Sequence, residues 1–168
     1  ENQGGNWLSN YVFFYGGIFS NFHRCTFNLG GIQFYNSETA FMVFKAMHFG
    51  DTDTAHKMLK KSQFPAESKR LGRLVQGFSD AEWAKVRYDY MLQACRAKYS
   101  QNPDLKQALL DTGDKILVEA ALKDVVWGIG RGLDYPFLED ESKWLGQNLL
   151  GKVLMQVREE LRNGIQVP

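Results

Sequence analysis

The sequence predicts an α+β fold, predominantly α-helical, with a small N-terminal β-sheet. Three observations predict it. The first 36 residues are rich in aromatics, Gly and Asn, the composition of short strands joined by turns. From residue 37 onward, apolar residues recur mainly at helical spacing behind capping residues. The length of 168 residues, 44% of them hydrophobic and 14% aromatic, suits one domain with a core of its own. Residues 1–168 are therefore read as a single domain.

Each element has a local reason. Tyr11 to Tyr15 is a further candidate for a short strand. Cys25 to Leu29 and Ile32 to Phe34 flank Gly30-Gly31, a hairpin turn in which both central residues tolerate positive φ. Asn36-Ser37 offers a cap for a helix running to Phe49. A second helix spans Asp51 to Ser62 behind Asp51 or Thr52, and Pro65 opens a third that ends near Val75. Ser79-Asp80-Ala81-Glu82 has the spacing of a capping box and starts the longest helix, continuing to Tyr99. Its apolar positions Trp83, Val86, Tyr90, Ala94 and Ala97 recur at helical intervals. Asn102-Pro103 interrupts the chain before a short helix over 104–110, and Ile116 to Ala121 leans towards a strand. A long loop over 128–146 precedes a last helix from Asn148 to Arg162. No repeat, low-complexity stretch or linker divides the chain.

Composition narrows the function. A net charge of +1 gives no general electrostatic footprint for nucleic acid and leaves a local basic groove open. Cys25 and Cys95 lack metal-ligand spacing and read as free thiols of a reducing, cytoplasmic compartment, with one disulfide as the alternative. No apolar run reaches the length of a membrane span, and Glu1 to Asn6 has no signal-peptide character. The start without Met reads as that of a processed or excised segment. There is no phosphate loop ending in Gly-Lys-Ser/Thr, no GxSxG and no HExxH, and His23, His48 and His56 are scattered. No metal and no cofactor are expected.

The helix from Ser37 to Phe49 is where chemistry is expected. It is apolar on nearly every face and carries two formal charges, Glu38 and Lys45. Seven positions apart, they fall on one stripe with Phe41, Met42 and Phe49, separated by roughly 10 Å of axial rise. That exceeds the reach of a three- or four-residue helix bridge. A helix apolar all round belongs in a core, and a buried charge needs a partner, such as a ligand lying between the two. The plainer reading is a half-exposed helix whose charged ends reach water.

Other strings are more ambiguous. Phe19-Ser20-Asn21-Phe22 after Gly17 is either a polar floor beneath a stacked ring or an ordinary aromatic turn. Gly72-Arg73 lies in a basic cluster with Lys69 and Arg70, which reads as a phosphate clamp or a solvated helix face. Glu119 sits in an apolar run, and Asp124 with Trp127-Gly128 offers either one wall of a pocket or a turn residue beside a core Trp. Asn148 resembles a helix cap, and Gly151 permits close packing.

In order and spacing these strings resemble the YbiA-like, or NADAR, family over nearly the whole chain. They are Phe19-Ser20-Asn21-Phe22, Ser37-Glu38 with Phe44-Lys45, and Leu71-Gly72-Arg73, then Trp83 with Arg87 and Met91. Leu117-Val118-Glu119, Asp124 and Trp127-Gly128-Ile129-Gly130 follow, and then Trp144-x-Gly146-x-Asn148-x-x-Gly151 with Leu154-Met155 and Arg158. The resemblance implies an N-glycosidase acting on ribosylated substrates. These are either ADP-ribosylated guanine in nucleic acid or phosphorylated intermediates of riboflavin biosynthesis. The loop between Gly130 and Trp144 is longer than in compact bacterial members, so the chemistry transfers more securely than the substrate.

Cleaving a riboside C1′–N bond passes through an oxocarbenium-like state, which asks for a carboxylate near C1′ and an acid for the departing nitrogen. Glu38 and Asp124 are expected in those roles, with Glu119 third. Lys45 acts either as a cation on phosphate or hydroxyls or as an amine forming an imine with the opened sugar. Trp127, with Phe19 or Phe22, is expected to stack on the base. Arg73 and the glycines Gly72 and Gly128 would meet phosphate, and Ser20, Asn21 and Asn148 would meet polar edges. The expected partners are a ribosylated nucleotide, with nucleic acid as its carrier in one setting, and no membrane. A competing class is a module that binds ADP-ribose or a related nucleotide without cleaving it.

Overall fold

The computed structural model describes residues 9–164. Within it the chain is an α+β protein dominated by helix, and it divides into two compact units.

One unit is built from residues 21–103. Its hairpin pairs β2 (Phe27–Leu29) with β3 (Ile32–Phe34) antiparallel, Leu29 opposite Ile32 across the Gly30-Gly31 turn. Gly30 and Gly31 both sit at positive φ, 61° and 79°, as such a turn requires. Four helices follow: α1 (Ser37–His48), α2 (Thr52–Lys60), α3 (Pro65–Gly72) and α4 (Asp80–Ser100). Their starts follow the capping chemistry. Asn36 accepts from the Thr39 amide at 2.7 Å, Asp51 from that of Thr54 at 3.0 Å, and Ser79 from that of Glu82 at 3.3 Å. Helix α1 is central and packs against α2, α3 and α4, which explains why it is apolar all round. Ala40, Phe41, Met42, Val43 and Ala46 are all buried.

The other unit takes its strands from distant parts of the sequence. Strand β1 (Tyr11–Phe14) pairs parallel with β4 (Ile116–Glu119), so Tyr11 faces Ile116 and Phe14 faces Glu119. This pairing is invisible in local sequence, because a parallel partner need not be a neighbour in the chain. Helix α5 (Pro103–Asp111) precedes β4, and α6 (Leu149–Arg162) lies against it. Leu150, Val153, Leu154 and Val157 are fully buried on α6. A Cβ at Gly151 would collide with the Leu117 carbonyl, so the absence of a side chain there sets how closely α6 approaches the strand.

Both cysteines are free thiols. Among the described residues no helix is long and apolar enough to cross a membrane.

Candidate active site

Asn36 fixes where α1 starts, and Asn21 fixes what stands at that start. The Asn21 carbonyl accepts from the Glu38 amide at 3.0 Å, and its side-chain oxygen accepts from the Ser37 hydroxyl at 2.8 Å. Asn21 is thereby tied to the first turn of α1. Asn21 and Glu38 are each only 8% exposed.

One step along the stripe, Lys45 is half-buried. Burial pushes its ammonium below the ordinary lysine range. Glu38 and Asp80 pull in the opposite direction, and Arg73 adds a like charge that lowers it further. The Nζ stands 4.5 Å from the centroid of the Phe78 ring, where the π face favours the charged form. Gly72 explains how Arg73 comes near. A Cβ at Gly72 would collide with Met42 Sδ, so α3 packs closely on α1 and ends beside it.

The far end of α1 is held by aromatic packing. His48 Nδ1 lies 2.8 Å from the Tyr90 hydroxyl, and Tyr90 stacks on both Phe44 and Trp83 with centroids 5.2 Å and 5.7 Å away. Phe41 meets Trp83 at 5.2 Å. Lys45 therefore projects from a helix fixed at both ends.

The remaining expected residues divide by unit. Phe22, which follows Asn21, is 43% exposed, with Lys69 Nζ 5.9 Å from its ring centroid. In the other unit, Phe19 is buried against Phe14 at 5.6 Å and Ser20 is 8% exposed. Glu119, Asp124, Trp127, Gly128 and Asn148 there form one hydrogen-bonded knot. Asp124 Oδ1 accepts from the amides of Val126 at 3.0 Å and Trp127 at 2.9 Å, the work of a turn-forming residue. Asn148 opens α6 in the left-handed region at φ 54°, and its side chain makes no cap bond to that helix. Its Oδ1 instead accepts from the Glu119 amide at 3.0 Å, and its Nδ2 donates to the Leu117 carbonyl at 2.9 Å. The Gly128 carbonyl accepts from the Asn148 amide at 3.1 Å, and the Glu119 carbonyl from that of Ile129 at 3.0 Å.

Phe78 and Asp80 belong beside Lys45 and were not singled out in the sequence. Their only signal was their place at the capping box, which reads as a helix start and nothing more. Among the described residues no cluster of three or more His, Cys, Asp or Glu could hold a metal ion.

The fold and this arrangement define an α+β protein whose central helix carries an electrostatically coupled acid and amine. A family model described as the NADAR domain matches residues 13–162. The chain is 40% identical over 163 residues to an N-glycosidase of Acanthamoeba polyphaga mimivirus, covering 89% of this chain and 95% of that protein. It is 33% identical over 146 residues to a riboflavin biosynthesis protein of Vibrio vulnificus, covering 87% of this chain and 36% of that one. The NMR structure of the E. coli protein YbiA matches with a TM-score of 0.74 at 29% identity, over 92% of this chain and 86% of that one. The chain belongs to the NADAR family.

Proposed function

We propose that this protein is a hydrolase of N-glycosyl bonds that cleaves the C1′–N bond of a ribosylated substrate, with Glu38 and Lys45 as its working pair. The observation that carries this reading is a lysine depressed by burial, two helical turns from a buried glutamate whose charge it feels. The mimivirus relative's name, N-glycosidase, supports the reaction class. The family match runs through both units, which supports treating residues 13–162 as one functional domain.

A lowered lysine pKa raises the fraction of free amine at neutral pH, which favours covalent chemistry. An amino-linked riboside opens at C1′ to an imine. The Lys45 amine adds to C1′, and the base nitrogen departs carrying a proton. Water then hydrolyses the Lys45–C1′ imine, releasing C1′ as an aldehyde and restoring the amine. Glu38 takes the proton shed by the attacking nitrogen and later activates the water. A second reading keeps Lys45 as a cation opposite substrate phosphate while Glu38 activates water directly. The Phe78 ring beneath Nζ favours this second role. Asp124 enters as the further carboxylate; its Oδ1 already accepts two amides, so proton handling falls to Oδ2. Glu119, Trp127, Ser20, Asn21 and Arg73 keep their expected roles towards substrate, whereas Asn148, with both side-chain heteroatoms on β4, serves by holding that strand.

Two substrates suit this chemistry. The Vibrio relative's name favours phosphorylated riboflavin-biosynthesis intermediates. ADP-ribosylated guanine in nucleic acid is the other, and the cluster of Lys69, Arg70 and Arg73 favours it.

The deciding experiment is turnover of Glu38→Gln and Lys45→Ala on both substrate types, with borohydride added during reaction. The imine route predicts a covalent adduct in the wild type that disappears in Lys45→Ala. An active enzyme that never traps leaves the cationic role. Wild-type turnover in either variant removes the pair from the chemistry, and stoichiometric retention of uncleaved nucleotide would make the protein a binding module.

A further inference from the structure

The segment from His56 to Arg73 concentrates positive charge in a chain that is almost neutral overall. It holds Lys57, Lys60, Lys61, Lys69, Arg70 and Arg73 against the single acid Glu67. Part of this charge gathers on one surface. Arg24 Nη1 donates to the Gln63 side chain at 3.4 Å, joining the strand-like segment after Phe22 to the α2–α3 turn. The Phe64 amide donates to the Lys61 carbonyl at 2.9 Å, so Phe64 stands beside Lys61 at the start of α3. Lys69, one turn further on, lies over the Phe22 ring. Arg70 is engaged by Glu67 at 2.6 Å and 3.1 Å. Between these cations two aromatic rings face solvent, Phe22 at 43% and Phe64 at 61% exposure. Unpaired bases stack on exposed rings while nearby cations track the phosphates, and a duplex offers no free base faces.

We propose that Phe22, Arg24, Lys61, Phe64, Lys69 and Arg70 form a docking surface for single-stranded nucleic acid, running up to the Asn21–Glu38 junction at the start of α1. The strand would pass Phe64, cross Lys69 and reach Phe22, one residue from the carbonyl that holds the Glu38 amide. The surface rests on the Glu38–Lys45 reading only for what lies at its end; its binding chemistry is independent of catalysis.

The test is fluorescence anisotropy with a labelled, unmodified single strand about a dozen nucleotides long, against the same sequence as duplex, a heparin fragment and phosphatidylserine vesicles. The single strand should bind best, with a log–log salt slope of about −2 to −3 from three or four neutralised phosphates. Lys61→Gln with Lys69→Gln should flatten that slope by about 1.4. Phe64→Ala should weaken binding about fivefold to a hundredfold and leave the slope unchanged. Both variants should cleave a mononucleotide-sized substrate like the wild type. Equal or tighter binding of duplex, heparin or vesicles overturns the proposal, as does indifference to these substitutions. A wild type that binds strand normally and cleaves nothing overturns the Glu38–Lys45 reading and leaves the surface standing.

Discussion

Helix α1 and the knot around Asn148 are both rich in polar groups inside apolar surroundings, and they use those groups in opposite ways. In the knot, the polar atoms are committed to backbone. Asn148 clamps the end of β4 with both of its side-chain heteroatoms, and Asp124 closes a turn on two amides. Such bonds stabilise because an orphaned buried amide or carbonyl costs about 1–3 kcal/mol. In α1 the backbone is satisfied by Asn36 and Asn21, and the charged side chains add another kind of interaction. Lys45 is desolvated, set over a ring and held between opposing fields. Desolvation of an amine gives little to stability and a great deal to reactivity. The comparison teaches where to look for chemistry in a small fold: among charges whose environment shifts them, after setting aside polar groups whose bonds already complete the backbone.

The largest expected effects test the two ends of that contrast. Lys45→Ala should lower turnover about a thousandfold, equivalent to about 4 kcal/mol of barrier, while its urea unfolding midpoint moves little. Asn148→Ala should do the reverse in the first instance. It leaves the Glu119 amide and the Leu117 carbonyl without their partner and should cost about 2–4 kcal/mol in the same titration. A Lys45→Ala protein that unfolds as easily as Asn148→Ala would erase the distinction between the regions.

Asp124 sits on the boundary and can be split by two substitutions. Asp124→Asn keeps an oxygen for the Val126 and Trp127 amides, so stability should hold within about 1 kcal/mol, whereas Asp124→Ala should lose about 1–2 kcal/mol. If Oδ2 handles a proton, Asp124→Asn is still slowed at least about a hundredfold. Normal turnover by the Asn variant assigns the residue wholly to the turn.

How much of this was legible depended on range. Helix starts were readable because a cap and its amide lie three residues apart, as at Asn36, Asp51 and Ser79. The Gly30-Gly31 hairpin was readable for the same reason. The parallel pairing of β1 with β4 was not, since nothing near Tyr11 encodes a partner at Ile116. At Asn148 the cap-like position was legible, but its side chain reaches back to β4 and leaves the helix uncapped by it. In the site, a charge on an apolar helix was a local anomaly and so pointed to Glu38 and Lys45. Phe78 and Asp80 carried no anomaly: they precede and open α4 like any helix start, and only tertiary packing brings them to Lys45.

Those two neighbours supply the finest test, because both hold Lys45 in its charged form against burial. Under the imine route the rate depends on free amine. It should therefore climb with pH through the Lys45 pKa, which lies below the ordinary lysine value. Phe78→Leu keeps an apolar cover over Nζ and removes the π face, a change of about 0.5–1 kcal/mol in favour of the neutral amine. The rising limb of the pH–rate profile should then move to lower pH by about half a unit. Asp80→Asn withdraws a negative charge and should move the limb in the same direction, whereas Glu38→Gln withdraws both a neighbouring charge and the base that takes the proton, so it shifts whatever residual limb survives at a much lower rate. A limb that stays in place in Phe78→Leu and Asp80→Asn reports a group other than Lys45. A limb that moves to higher pH would mean that water entering behind the smaller side chain outweighs the lost ring, making Phe78 a cover for Lys45 more than a partner to its charge.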